Sequence, residues 1–315
     1  MDQREQAATG VSTLRVLASL DGSLLAEKAL PFAEALAREG DGTLILTRAV
    51  LAHSLPGVDA ADAQRTAVSE AEDYLEKVAA TLSERGITTE TAVPHDEAGR
   101  GIVEEARLRR ADLIVMSTHG RGGLGRWVYG SVAEAVLAAS TVPVMLVRAW
   151  VVEVEPSRLT QKPCILTPLD GSAFAEGALP TAHRFCDAFG EELVILRVAL
   201  RPDLVFGPDR LLQSELAQEL ATNTADATEY LRVLAARLAE EGESAPTYEL
   251  HPDGVTSDIA QAAREHGAAM VVMTTHAHTG VNRILIGSVA GGVVRDGDLP
   301  LVLVPPGAAH PASSS

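Results

Sequence analysis

The sequence predicts an α/β protein built from two tandem copies of one domain, each an open, five-stranded parallel sheet flanked by helices. Three observations predict this fold. The chain has 315 residues, which suits two domains of about 100–200 residues each. Short apolar runs alternate with helical apolar spacing, as in parallel sheets covered on both faces. The same motifs also occur twice in one order, so both halves should share the fold.

Matched motifs at nearly constant offsets reveal the duplication. Leu20–Ser23 (Leu-Asp-Gly-Ser) recurs as Leu169–Ser172, 149 residues later. Gly130–Ala133 (Gly-Ser-Val-Ala) recurs as Gly287–Ala290 with an offset of 157. The unit is far longer than a solenoid repeat, so each copy is predicted to be a domain.

The pair Tyr74–Leu75 recurs as Tyr230–Leu231 with an offset of 156. Most of the extra residues of the second copy therefore lie before Tyr230, where a loop is expected. The predicted organisation is a first domain over residues 1–150, a linker over 151–162, a second domain over 163–305 and a disordered tail over 306–315.

Strands are predicted in the first copy where short apolar runs end in turn residues. The first run leads into Asp-Gly-Ser, and the fourth is apolar throughout. The five predicted strands are Leu14–Leu20, Leu44–Val50, Ile87–Val93, Leu113–Met116 and Val142–Val147.

Helices are predicted between these strands. Ser23 is a suitable N-cap for a helix that runs to Arg38, in which Pro31 predicts a kink or a break. Residues 62–85 have helical apolar spacing and stop at Gly86. The other predicted helices include Ile102–Arg109 and Ser131–Ser140, and the second copy repeats this order from Cys164 to Val304.

Composition narrows the function classes. The formal net charge is −17, which disfavours nucleic acid and anionic membranes as partners. The first residues lack a signal-type apolar segment and no apolar run approaches the length of a membrane span, so a cytoplasmic location is expected. Cys164 and Cys186 lack metal-type or redox spacing and are predicted to be buried thiols.

The candidate site follows from the predicted sheet. In an open parallel sheet, ligands bind beyond the carboxyl ends of the strands, where the strand order reverses. Three segments should meet there: the Asp21–Ser23 turn, the end of the second strand near Ala49, and the loop from Ser117 to Ser131. Gly130 allows close backbone approach, and the helix that starts at Ser131 offers N–H groups and positive dipole to a phosphate.

The spacing of these residues resembles the universal stress protein family. The family pattern is an Asp after the first strand and, after the fourth strand, Gly, two residues, Gly, nine residues and Gly-Ser or Gly-Thr. The first copy has Asp21, then Ser117 in place of the first Gly, Gly120, and Gly130-Ser131 after nine residues. Family members with this motif bind ATP. The resemblance covers almost the whole chain twice and implies a Rossmann-like fold of the adenine nucleotide alpha-hydrolase type.

The second copy departs further from the family pattern. It keeps Asp170 and Gly287-Ser288 but has Thr274 and Ala277 in place of the first two glycines. Ala277 adds a Cβ where the backbone should approach a phosphate, so nucleotide is expected mainly in the first copy.

The resemblance also implies roles for individual residues. Asp21 and Asp170 would face the ribose or a magnesium ion, and the backbones of Ala49 and Val198 would meet the adenine. The glycine and serine residues of the loops would hold phosphates, with Arg121 screening their charge. The candidate binding residues are Asp21, Ala49, Met116, Ser117, Gly120, Arg121, Gly130, Ser131, Val132, Asp170, Val198, Thr274, Gly287 and Ser288.

Structural interpretations of the same residues stay open. Asp favours turns, so Asp21 and Asp170 could each do no more than hold a turn. The loop from Ser117 could be a plain connector. No carboxylate or Cys accompanies His276–His278 at ligand spacing, so no metal site is predicted. No nucleophile-elbow motif surrounds Ser131, and no catalytic residue is predicted.

Three functions remain. The first is an ATP-binding protein of the stress response, with nucleotide, alone or with Mg²⁺, as a regulatory ligand. The second is a scaffold that binds an unknown protein partner without nucleotide. The third is a slow ATP hydrolase, for which no catalytic base is evident. The strands Val142–Val147 and Leu299–Val304 are predicted to pair within one chain as a pseudo-dimer, and the whole chain could further form a homodimer.

Overall fold

The computed structural model describes residues 14–39, 41–51, 59–118, 130–148, 164–190, 192–198, 210–241, 247–251, 255–275, 288–296, 299–306 and 308. The chain divides after Thr160 into two compact units. Each unit is an α/β domain around a parallel sheet, which confirms the predicted fold class. The predicted linker and the tail, apart from residues 306 and 308, lie outside the described residues, and the boundaries and the pseudo-dimer stay predictions.

The first unit alternates strands and helices in the predicted order. Its elements are β1 (Arg15–Ser19), a 3-10 turn (Ala26–Ala29), α1 (Leu30–Glu39), β2 (Thr43–Thr47), α2 (Ala60–Glu84), β3 (Thr88–Ala92), α3 (Ala98–Leu108), β4 (Leu113–Thr118), α4 (Ser131–Ala139) and β5 (Val144–Arg148). The strands are parallel and lie in the order β3-β2-β1-β4-β5.

The second unit repeats this arrangement. Its elements are β6 (Cys164–Pro168), α5 (Ala173–Glu176), α6 (Leu179–Phe189), β7 (Glu192–Val198), α7 (Arg210–Glu240), β8 (Thr247–His251), α8 (Val255–Glu265), β9 (Met270–Thr274), α9 (Ser288–Asp296) and β10 (Leu301–Val304). These strands are also parallel, in the order β10-β9-β6-β7-β8.

The strand order reverses beside the first strand of each unit. The chain leaves β1 for β2 on one side and later returns through β4 on the other side, and β6 lies between β7 and β9 in the same way. The core of the first unit sits on these central strands: Leu17, Ile45 and Ile114 have no exposed surface. Central strands buried on both faces explain the continuous apolar runs.

One local expectation is confirmed and one needs correction. Pro31 was expected to kink the helix that begins at Ser23 or to sit at a break in it. The structure has that break at Leu30, where the 3-10 turn gives way to α1, and Pro31 occupies the first turn of α1, where its missing N–H is not needed. The extra residues before Tyr230 were expected in a loop. They instead lengthen α7, which has 31 residues where α2 has 25.

The two cysteines differ from each other. Cys164 is buried, as predicted, and its thiol lies 3.6 Å from the carbonyl oxygen of His266. Cys186 is only half-buried, so the prediction of a fully buried thiol is wrong there. No helix in the described part of the chain is both long and apolar enough to cross a membrane.

Candidate functional site

A cleft of about 310 Å³ opens in the first unit at the carboxyl ends of β1 and β4. Its position is the point at which the strand order reverses, where ligands bind in open α/β sheets. Its volume falls within the range of about 300–1,000 Å³ that is usual for small-molecule sites. Seven of the predicted binding residues line it: Asp21, Ala49, Met116, Ser117, Gly130, Ser131 and Val132. Gly120 and Arg121 lie outside the described residues.

The Asp21 turn presents a carboxylate at the rim of the cleft. The Ser23 amide donates a hydrogen bond to Asp21 Oδ1 at 2.8 Å, and Gly22 between them has φ +84°. The Ser23 hydroxyl in turn accepts a hydrogen bond from the Ala26 amide at 3.1 Å. Asp21 therefore holds its own turn and also faces the cleft, so the structural and the binding interpretations are compatible.

Ala49 forms part of the cleft wall through the direction of its backbone. The amides of Arg48 and Val50 donate to the carbonyl oxygens of Ala92 and Pro94 at 3.1 and 2.9 Å. In an extended segment the backbone N–H and C=O groups of successive residues point to opposite sides, so those of Ala49 point away from β3, and Ala49 is one of the residues that line the cleft. This is the place that the resemblance assigns to the adenine.

Ser117 contributes to the cleft wall and carries a buried hydroxyl. The residue lies in β4 and is 6% exposed. It is one of the lining residues, and its buried Oγ makes no hydrogen bond within the described part of the chain. A buried hydroxyl without a partner is costly, by about 1–3 kcal/mol, unless a ligand or water satisfies it. The neighbouring Met116 is 5% exposed and supplies an apolar surface.

Gly130 begins the helix at the far side of the cleft. Its backbone has φ +74° and ψ 140°, and a Cβ added to it would meet nothing within 4 Å. The requirement for glycine is therefore conformational, since L-residues rarely adopt this backbone. Ser131 is exposed and Val132 half-buried in the first turn of α4. The first amides of a helix lack intrahelical acceptors and attract anions.

Sequence reasoning missed the side of the cleft that α3 forms. Ala98 and Ile102 line it, together with Ala26 and Ala133. Helical spacing predicted part of α3, but nothing in the sequence indicates which face of it meets the cleft. Asp21 is the only ionisable side chain among the described residues of the lining, which is otherwise apolar or hydroxylic.

The second unit places its candidate residues at matching points. Asp170 follows β6, Thr274 ends β9, Val198 ends β7 and Ser288 begins α9. The second-unit turn repeats the first, because the Ser172 amide donates to Asp170 Oδ1 at 2.9 Å and the Ser172 hydroxyl accepts from the Ala175 amide at 3.1 Å. The Ser172 hydroxyl also donates to Asp170 Oδ1 at 2.6 Å.

The electrostatic setting of Asp170 favours its charged form. Burial acts to raise the pKa of the Asp170 carboxyl, but the hydrogen bonds from Ser172 and the charge of Arg197 outweigh it and lower the pKa. The side chains of Val198 and Ser288, and all of Gly287, lie outside the described residues.

Behind the cleft wall the two units differ in one buried position. A Cβ on Gly101 would lie 3.1 Å from the Pro94 ring and 3.5 Å from the Ala49 Cβ. At the offset of 157, the counterpart of Gly101 is Asp258, which is 2% exposed. The second unit therefore has a buried aspartate at the position that matches Gly101, the glycine that lies against Ala49 in the first unit.

The fold and the cleft define a duplicated, doubly wound α/β protein with a ligand-sized site at the switch point of its first unit. The model of the Universal stress protein family matches residues 13–148 and 164–305. The two matches cover most of the chain, which therefore belongs to the universal stress protein family.

Individual relatives agree with this assignment. A universal stress protein of Mycolicibacterium smegmatis is 28% identical over 227 residues, which is 70% of this chain and 70% of that protein. Universal stress protein YxiE of Bacillus subtilis is 31% identical over 145 residues, 42% of this chain and 98% of that protein. The crystal structure of a universal stress protein from Archaeoglobus fulgidus matches with a TM-score of 0.71 at 21% identity, over 93% of this chain and 99% of that one; it supports the fold.

Proposed function

We propose that this chain binds ATP in the cleft of its first unit and that the nucleotide is a regulatory ligand in a stress response. One observation carries the proposal: seven residues predicted from sequence, drawn from separate segments, line a single cleft of ligand size. The cleft lies where open α/β sheets bind ligands.

The chemistry of the lining supports a nucleotide. The apolar surface of Met116 and Ile102 suits a base, and the start of α4 suits a phosphate. The Asp21 carboxylate at the rim suits ribose hydroxyls or a magnesium ion. The buried hydroxyl of Ser117 offers a donor for which the described chain supplies no acceptor.

The second unit supports the alternative function better. The second copy has Thr274 and Ala277 in place of the first two glycines of the family pattern, and the Cβ of Ala277 adds bulk where the backbone should approach a phosphate. We therefore place ATP in the first unit and assign the second unit to partner binding.

The test compares two matched glycine variants. Freshly purified protein is denatured and its released nucleotide quantified by chromatography, and binding of added ATP with Mg²⁺ is measured by calorimetry. We expect one ATP per chain in the wild type, loss of ATP in Gly130→Ala, and retention in Gly287→Ala. Absence of ATP from the purified protein, with no binding when ATP and Mg²⁺ are added, would refute the proposal.

The same experiment separates regulation from turnover. Bound ATP is incubated with the protein and the adenylate released later is identified. Unchanged ATP supports a regulatory ligand, whereas steady release of ADP or AMP would favour the slow hydrolase.

A further inference from the structure

Beside the Asp21 turn, an arginine lies over a tyrosine ring. The guanidinium carbon of Arg48 is 5.3 Å from the centre of the Tyr74 ring. The Tyr74 hydroxyl donates a hydrogen bond to Glu27 Oε1 at 2.9 Å. Arg48 follows β2, Tyr74 belongs to α2 and Glu27 to the 3-10 turn, so three separate elements meet here.

The second unit contains the same cluster. The guanidinium carbon of Arg197 is 5.1 Å from the centre of the Tyr230 ring, and the Tyr230 hydroxyl donates to Glu176 Oε1 at 2.9 Å. Arg237 adds an ion pair to Glu176 Oε2 at 2.6 Å. The cluster is kept in both units although the second copy lacks the first two glycines of the family pattern.

Each arginine packs on the glycine of the neighbouring Asp-Gly-Ser turn. Gly22 has φ +84°, and a Cβ on it would lie 3.1 Å from Arg48 Nη1. Gly171 has φ +85°, and a Cβ on it would overlap Arg197 Nη1. In both units the guanidinium group occupies the space beside the turn that a side chain would take. The glycine therefore meets two needs, a left-handed backbone and room for the arginine.

The tyrosine ring connects the two sides of the turn. Its face holds the arginine that covers the glycine, and its hydroxyl holds the glutamate of the segment that follows the turn. Cation–π contacts of this kind are stabilising, and more so when the cation is partly removed from water. In the second unit, Arg197 Nη1 is buried and makes no hydrogen bond within the described residues, so the ring face is its evident partner.

We propose that Arg48 and Arg197 are positioning residues, each of which holds the adjacent Asp-Gly-Ser turn, from a tyrosine ring, in the conformation that presents Asp21 or Asp170 to a ligand. Neither arginine needs to touch the ligand. For Asp21 the ligand is the ATP of the proposed function, on which the binding part of this inference rests. The effect on the turn itself does not depend on that function.

Two readouts on the full chain test the proposal. Hydrogen exchange of the Ser23 amide, which donates to Asp21 Oδ1, reports the turn, and calorimetry reports the affinity for ATP. In Arg48→Met, which removes the charge but keeps a long side chain, we expect the Ser23 amide to exchange about two- to thirty-fold faster, the range set by a cation–π contact. The ATP affinity should fall by a similar factor.

Three variants serve as controls. Arg48→Lys keeps a cation over the ring and should recover part of both effects. Tyr74→Phe keeps the ring but removes the hydrogen bond to Glu27, so its effect should be smaller. Arg197→Met should accelerate exchange at Ser172 and leave ATP affinity unchanged.

The outcomes separate this inference from the proposed function. Unchanged exchange at Ser23 in Arg48→Met, or faster exchange throughout the first unit, would overturn the positioning role. So would faster exchange at Ser23 alone with undiminished ATP affinity. If the wild type binds no ATP, the proposed function fails while the exchange measurement still decides whether Arg48 holds the turn.

Discussion

Gly99 in α3 faces Ala135 in α4 so closely that a Cβ added to Gly99 would overlap the Cβ of Ala135. In the second unit the glycine is on the other helix: a Cβ on Gly292 in α9 would overlap Thr256 Cγ2 in α8. At the offset of 157, Thr256 matches Gly99 and Gly292 matches Ala135. At this contact between two helices, the glycine of the matched pair is therefore supplied by α3 in the first unit and by α9 in the second. In the first unit both α3 and α4 border the cleft.

The helix crossing predicts a stability change that a second substitution compensates. Gly99→Ala should destabilise the first unit by about 1–3 kcal/mol because it overpacks the contact. Adding Ala135→Gly should recover part of this loss, although a new glycine within a helix costs about 1 kcal/mol. Urea unfolding followed by circular dichroism measures both effects. Strictly additive effects of the two substitutions would contradict a shared space.

Ser117→Ala should separate stability from binding. The substitution removes a buried hydroxyl that has no partner within the described chain, so the free protein should become about 1 kcal/mol more stable. ATP should bind more weakly, because the hydroxyl is offered to the ligand. Thermal unfolding without nucleotide and calorimetry with ATP give the two values.

The neighbouring position provides the control for Ser117. Thr118 is 1% exposed, and its hydroxyl also makes no hydrogen bond in the described residues, but it is not part of the cleft lining. Thr118→Val should stabilise the free protein without changing ATP affinity. Equal losses of affinity in Ser117→Ala and Thr118→Val would contradict a specific role for Ser117.

Gly130→Ala should impair both the backbone and the binding of nucleotide. At φ +74° and ψ 140°, alanine should cost about 1–3 kcal/mol or force the start of α4 to move. Gly86→Ala is the matched control, since Gly86 has φ +81°, an open surrounding and a place outside the cleft lining. Both variants should lose stability in chemical denaturation, and only Gly130→Ala should lose ATP. Loss of ATP in both would indicate a global effect.

Glu90 predicts a pH dependence of stability. It accepts hydrogen bonds from Arg15 Nη2 at 2.9 Å and from Arg109 Nη1 at 3.0 Å. Burial acts to raise the pKa of the Glu90 carboxyl, but the two guanidinium groups outweigh it and lower the pKa. A folded pKa below the unfolded value gives stabilisation above the ordinary Glu pKa of about 4.3, and this is lost as the pH falls through the folded pKa.

Glu90→Gln should therefore destabilise the protein at pH 7, and less at about pH 3.5, because part of the stabilisation is lost once the pH falls below the ordinary Glu pKa of about 4.3. Unfolding free energies at the two pH values give the comparison. Glu104→Gln is the control, because Glu104 pairs with Arg107 on an exposed helix surface and such pairs contribute little. A loss for Glu90→Gln that is constant with pH would contradict the charge-based explanation.

Local chemistry explains why so much of the cleft was predictable. Asp-Gly-Ser defines a turn through its own short-range hydrogen bonds, and Gly130 is required by its own backbone angles. Apolar runs such as Leu113–Met116 predict buried central strands wherever they fold. The parallel order then brings the ends of these strands to one edge of the sheet, so residues distant in sequence could be assigned to one site.

Long-range packing explains what was missed. The sequence shows Ser117 only as a replacement for the first glycine of the family pattern. The structure adds that the residue is buried in β4 and that its hydroxyl has no partner within the described residues. Arg48 and Glu27 recur as Arg197 and Glu176 at the offset of 149, a signal that could have indicated their shared role. The contacts of these arginines and glutamates with tyrosines far along the chain could not be predicted from the repeat.

The sequence by itself determined the duplication, the α/β class and the turn and helix start that border the cleft, because these depend on residue spacing and on local backbone preferences. The tertiary structure alone decided that α3 borders the cleft, that Arg48 lies on Gly22 over Tyr74, and which helix carries the small residue at each crossing. Those features depend on which side chains meet after folding. More than one combination of side chains can make such a contact, so the local sequence pattern does not specify which residues meet.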